Sequence, residues 1–119
     1  MKLWLDDIRE PWKFGYLNWH WVKTAQEAIE CFRTGTVEKA SLDHDLTEHQ
    51  TIFGGYVGEI AEDGHMSGYD VVCWLEQNPQ FWPPEGVLVH SANPAGAARM
   101  RQVINKHYAL NFPKGISSL

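Results

Sequence analysis

The sequence predicts a single α/β domain built on a mostly parallel sheet, with a cluster of acids at one end of that sheet. Three observations carry this. Short apolar runs alternate with helical patterns along the chain, an order that gives a parallel sheet with right-handed crossovers. Three of those runs end in chemically capable residues, Asp6-Asp7, Asp43-His44-Asp45 and His90-Ser91. The length, 119 residues, fits one domain of roughly 100 to 150 residues, so residues 1–119 are read as one unit.

The elements follow in order. Lys2 to Leu5 is a short strand signal, and its continuous apolar run Leu3, Trp4 and Leu5 suits a strand covered on both faces. Residues 9–18 contain Pro11 and Gly15 and read as loop, and Trp19 to Val22 reads as a weaker strand. Thr24 with Glu27 forms a capping box. Ala25, Ala28, Ile29 and Phe32 then give one helical stripe, and Gly35 lies just past the end. Lys39 to Leu42 is the next strand. Residues 47–66 hold Gly54, Gly55, Gly58 and Gly64 without a sustained period and read as a long flap. Ser67 and Asp70 cap a second helix carrying Val71, Trp74 and Leu75, ended by Pro79, Pro83 and Pro84. Val87 to His90 is a strand. Asn93-Pro94 opens a third helix, as N-cap and first residue, with Met100, Val103, Ile104 and His107 on its buried side. Ala109 to Phe112 reads as a fifth strand, before Pro113-Lys114.

Composition narrows the function. The apolar fraction is 44% and the charged fraction 21%, ordinary for a globular chain and too apolar for disorder. The net charge of −5 argues against binding of duplex nucleic acid, which needs clustered Lys and Arg. It leaves room for a small phosphorylated ligand or a nucleic-acid end, because bound divalent cations reverse the local field. Cys31 and Cys73 fall among apolar helical residues without a CxxC pairing, as expected of core thiols in a reducing compartment. With no basic-then-apolar leader and no long apolar run, a cytoplasmic protein without membrane contact is expected. Oligomeric state is not encoded legibly.

In open parallel sheets the ligand crevice lies outside the carboxyl ends of the strands. Asp6, Asp7, Asp43 and Asp45 therefore converge, and carboxylates brought together repel unless a cation shares them. A hard divalent ion with oxygen ligands satisfies that demand, Mg²⁺ or Mn²⁺ ahead of Zn²⁺, on Asp6, Asp7 and Asp43. His44, His90 and Asp45 are candidates for proton transfer. Arg9, Ser91, Asn93 and Lys114 are candidate phosphate contacts. Each has an ordinary structural alternative: Asn93 as helix cap, Ser91 as turn residue, Arg9 and Lys114 as solvated charges, either histidine as a hydrogen-bonded structural residue. Asp70 is read as a first-turn acid favoured by the helix dipole rather than as a ligand.

At these residues the chain resembles known proteins. Leu-Trp-Leu-Asp-Asp at 3–7 is similar to the first strand and acidic pair of response-regulator receiver domains. Asp43 stands where receivers carry the phospho-accepting aspartate, Ser91 where they place a small hydroxyl residue, and Lys114 near their lysine. Pro113-Lys114 reverses the receiver order, and the segment 9–18 is too short and broken for a receiver's first helix. A closer resemblance is to the cyclic-phosphate processing receiver-like family, through Leu-Asp-Asp-Ile-Arg at 5–9, Ser-Leu-Asp-His-Asp-Leu at 41–46, Gly-Tyr-Asp at 68–70, and His-Ser-Ala-Asn-Pro at 90–94 with Gly96 and Met100. It implies a receiver-like (flavodoxin-like) three-layer fold with a five-stranded sheet, and metal-dependent action on a cyclic phosphate: a nucleoside or RNA-end 2′,3′-cyclic phosphate, as in RNA repair, or a cyclic nucleotide. Two other readings compete: a signalling receiver phosphorylated on Asp43, and a non-catalytic module that binds a nucleotide or a partner.

Overall fold

The computed structural model describes residues 1–46 and 67–111. The expected flap at 47–66 and the candidate Lys114 lie outside the described residues. Four strands form one sheet: β1 (Lys2–Leu5), β2 (His20–Val22), β3 (Lys39–Leu42) and β4 (Val87–Val89). Their order is β2-β1-β3-β4, and each neighbouring pair is parallel. Three α-helices are described, α1 (Ala25–Arg33), α2 (Gly68–Gln77) and α3 (Pro94–Asn111). No helix among the described residues is long and apolar enough to cross a membrane.

The expected caps form. The Thr24 side chain accepts from the Glu27 amide, and the Glu27 carboxylate accepts from the Thr24 amide. Ser67 and Asp70 make the same reciprocal pair at the start of α2, which uses the Asp70 carboxylate as a cap. Asn93 Oδ1 accepts from the Gly96 amide at the start of α3. The expected fifth strand is corrected: residues 109–111 continue α3. Apolar residues at 100, 104 and 108 all fall on the buried side of α3, so the helical period runs straight into the segment read as a strand.

Register sorts side chains to two faces. Leu5 pairs with Val22 and Leu42, and Leu42 with Val89. These residues join Leu3 and Ala40 in one apolar cluster with Phe32 of α1, Val71 and Leu75 of α2, and Met100 and Ile104 of α3. All three helices thus share a single core. The opposite face carries the alternate row, Trp21, Trp4, Ser41 and Leu88.

The chain moves outward from β1 to β2 and then back across β1 to β3. Right-handed crossovers place those two connections on opposite faces of the sheet. The second is α1. The first holds only a 3-10 helix, Pro11–Phe14, closed by Gly15 at φ 87°. Among the described residues this face is covered by aromatic rings in place of an α-helix. Trp4 is buried under Phe14, Tyr16 and Trp19. Two indoles pin the segment after β1: Trp4 Nε1 donates to the Arg9 carbonyl at 2.8 Å and Trp21 Nε1 to the Asp6 carbonyl at 2.7 Å.

Candidate functional site

Reversal of strand order puts the topological switch point between β1 and β3, where open parallel sheets hold their ligands. The ladder runs one residue past each strand there. The Asp6 amide donates to the Val22 carbonyl, the Asp43 amide to Leu5 and the His90 amide to Leu42, at 3.1, 2.9 and 3.0 Å. Asp6, Asp43 and His90 are therefore adjacent in one row. By alternation they share the face of Trp4, Ser41 and Leu88.

Asp6 and Asp43 are almost wholly buried, and Asp7 is half-buried. Carboxylate oxygens of the three lie within 4.8 Å of one another. Asp6 Oδ1 accepts from the Ile8 and Arg9 amides, and Oδ2 from His90 Nε2 at 3.1 Å. The Arg9 guanidinium straddles the pair, with Nε 3.0 Å from Asp6 and Nη2 3.5 Å from Asp43. Burial alone would raise the Asp6 pKa. The His90 bond, the two amides and the Arg9 charge outweigh it and hold Asp6 below the usual carboxylate value. Asp43 goes the other way: burial first, then the neighbouring Asp6 charge, push it up against partial relief from Arg9 and His90. Its Oδ1 is buried without a hydrogen-bond partner. A buried carboxylate oxygen with no donor beside two further acids suits a cation and is costly otherwise. The donor set, all oxygen, fits a hard divalent ion.

His90 is fixed on three sides. Its ring stacks on Trp4 with centroids 3.8 Å apart and planes 6° apart. Nδ1 lies 2.7 Å from Ser41 Oγ, and Nε2 faces Asp6. The Ser41 hydroxyl can rotate to donate to a neutral imidazole or accept from a charged one, so either state of His90 is satisfied. Beside this row is a cavity of about 290 Å³ lined by Trp4, Arg9, Phe14, Tyr16 and His90.

His44 and Asp45 belong to a second network. His44 Nδ1 lies 2.7 Å from Asp45 Oδ1, which also accepts from Asn93 Nδ2 at 3.2 Å. Burial opposes ionisation of Asp45, but the His44 and Asn93 bonds prevail and lower its pKa. His44 Nε2 is buried without a partner. A carboxylate on Nδ1 and no acceptor on Nε2 favour the tautomer with its proton on Nδ1. Asn93 is a brace as well as a cap, with Oδ1 on the Gly96 amide and Nδ2 on Asp45. Ser91 Oγ accepts from the Asn93 amide at 3.0 Å, leaving its own proton to donate.

Several site residues were not singled out from the sequence: Trp4, Ser41, Phe14, Tyr16 and the spatial roles of Gly68 and Gly96. Ser41 was legible in principle, because period-two alternation puts it on the face of Asp43. Gly68 opens α2 against β3: a Cβ there would collide with the Asp43 backbone carbonyl and come within 3.0 Å of the Met100 methyl. At Gly96 a Cβ would sit 2.6 Å from the His44 ring. Gly68→Ala is expected to cost more than the roughly 1 to 3 kcal/mol of ordinary overpacking, since backbone rather than a pliable side chain must yield. Chemical denaturation would measure it, and a loss below about 0.5 kcal/mol would refute the tight contact.

No curated protein and no solved structure gave a match to the chain. The family model described as cyclic-phosphate processing receiver domain matches residues 1–106. With most of its length covered, including the four described strands and the acids and histidines at their carboxyl ends, the chain belongs to the cyclic-phosphate processing receiver domain family.

Proposed function

We propose that this domain is a metal-dependent phosphoesterase that opens a cyclic phosphate by hydrolysis. One observation carries the reading: the donorless, buried Oδ1 of Asp43 among the converging carboxylates of Asp6, Asp7 and Asp43. These three residues hold the cation, Mg²⁺ or Mn²⁺ rather than Zn²⁺. Bound there, it supplies Lewis acidity toward a phosphoryl oxygen and acidifies water.

The chain's own groups do the rest. Arg9, about one-third exposed, is long enough to keep its link to Asp6 while presenting guanidinium hydrogens to a phosphate. Ser91 donates its hydroxyl proton to a phosphoryl oxygen. Hydrolysis moves two protons: one leaves the attacking water, the other reaches the ester oxygen released when the ring P–O bond breaks. His90 lines the cavity beside Arg9 and is assigned proton transfer there through Nε2, which exchanges its Asp6 contact for the reacting oxygen, while Trp4 and Ser41 hold the ring by its face and Nδ1. From the sequence, His44 and Asp45 are expected to share that duty. The burial of His44 Nε2 favours a narrower role, in which both brace the strand end that carries Asp43, with Asn93 as their tie to α3.

The test is turnover of adenosine 2′,3′-cyclic phosphate in Mn²⁺, followed by product analysis. A ring-opened monophosphate that disappears with a chelator is the expected result. A stable aspartyl phosphate on Asp43 after treatment with a small phosphodonor, without turnover, would establish the signalling receiver instead. Intact ligand recovered after tight binding would establish the binding module.

A further inference from the structure

The cavity beside the acidic row has walls that phosphate chemistry does not require. Arg9 and His90 form its polar side, against Asp6 and Asp43. The remaining lining is aromatic: Trp4, Phe14 and Tyr16. Trp4 is already committed, with one face on His90. Phe14 is 54% exposed, although it lies nearly parallel to Trp4, 6.1 Å away at 22°. Tyr16 is tilted 40° to Trp4 at 4.9 Å and rests edge-on against Trp19.

Local backbone structure puts these two rings on one wall. Phe14 ends the 3-10 helix, and Gly15 at φ 87° reverses the chain so that the Tyr16 amide returns to the Pro11 carbonyl at 3.1 Å. A left-handed residue there is what glycine permits. The turn spends an aromatic on each side of a glycine, and the more exposed of the two gains little from the core. A single exposed ring is ordinary, but a contiguous apolar wall rimmed by polar groups marks a ligand-binding surface, and Phe14 joins Trp4 and Tyr16 in such a wall beside Arg9 and His90.

We propose that Phe14 and Tyr16 form a stacking subsite for the nucleobase of the substrate, so that the cyclic phosphate processed here is that of a nucleoside. This deepens the phosphoesterase reading and rests on it. The occupant follows from continuity: a ligand whose phosphate meets Arg9 and His90 has its organic part against these rings. At about 290 Å³ the space is at the small end of ligand pockets, which suits a single small nucleotide with its phosphate on the polar side and one flat ring system on the aromatic wall. Every base has a π-face, so the subsite selects for the presence of a base and discriminates little among bases.

The test compares adenosine 2′,3′-cyclic phosphate with glycerol 1,2-cyclic phosphate, which has the ring phosphate and no base. Phe14→Ala, Phe14→Leu and Tyr16→Ala are assayed beside wild type for kcat/KM on both compounds, and for binding of adenosine 5′-monophosphate by calorimetry. Wild type should favour the nucleoside compound by about 10- to 100-fold, the usual worth of one base stacked on an aromatic ring. Phe14→Ala should erase most of that preference through KM, lowering use of the nucleoside compound far more than use of the glycerol compound. Phe14→Leu keeps apolar volume without the π-face and should behave like Phe14→Ala. Equal use of both compounds by wild type and all variants would overturn the subsite and leave the phosphoesterase reading standing. Nucleotide binding that depends on Phe14, with no turnover of either compound, would retain the subsite and overturn the phosphoesterase reading. Absence of both binding and turnover would overturn the two together.

Discussion

Asp43→Asn is expected to make the metal-free protein more stable and to make it indifferent to Mn²⁺. In the free protein Asp43 is an almost wholly buried carboxylate, near Asp6, with one oxygen unpartnered and the other 3.5 Å from Arg9. Burial and the Asp6 charge raise its pKa above the ordinary 3.8. A carboxyl whose folded pKa is raised binds more protons folded than unfolded, so its contribution to stability falls as pH rises from 3.8 through the folded value. At neutral pH the ionised group therefore opposes folding, and the neutral isostere relieves it. The gain should be on the order of 1 to 2 kcal/mol, a rise in melting temperature of roughly 5 °C. Asp6 and Asp45 have the opposite sign: their pKa values are lowered, and their stabilisation is lost as pH falls below the ordinary carboxylate range. The wild type should recover its deficit through binding, by about 2.7 kcal/mol when Mn²⁺ exceeds the Kd a hundredfold. Thermal melts with chelator and with Mn²⁺, for both proteins, measure all of this. A variant that is less stable without metal, or still stabilised by it, would identify Asp43 as an ion-pair residue only.

His90→Ala should lower turnover of a cyclic phosphate by about 10² to 10⁴, whereas His44→Ala should act mainly on stability. The two imidazoles differ in placement. His90 faces the cavity and touches Asp6, Ser41 and Trp4. His44 is packed against Gly96 and tied to Asp45, with its second nitrogen buried. The pH–rate profile should lose one limb in the His90 variant and keep both in the His44 variant. His44→Ala leaves a cavity and removes one of the two bonds that hold Asp45, a cost of about 1 to 3 kcal/mol. Equal kinetic losses with unchanged stability would return both histidines to proton transfer.

Most of the architecture was legible because it is local. The capping boxes at Thr24 and Ser67, the helical stripe through Phe32 and the short strands at 2–5 and 39–42 each sit within a few residues of their cause. Where the sequence misled, at 109–111, a short segment with two apolar residues fits either period, and the continuing contacts of α3 through Tyr108 decide it. The acids at the ends of β1 and β3 were legible because strand ends in parallel sheets meet at a known place. The partition of the histidines was not, since it depends on which face each strand-end residue takes. Nor was the service of Gly68 and Gly96, which lies in space withheld from a methyl group by atoms distant in sequence. The aromatic wall of Trp4, Phe14 and Tyr16 was not legible, because its place comes from the side of the sheet that the first crossover takes.

The near-coplanar contact between Trp4 and His90 also joins two rings into one stiff plate. With the rings 3.8 Å apart and the imidazole hydrogen-bonded to Asp6, a push on the indole from the aromatic side is passed to the acids at the strand ends with no soft joint between them.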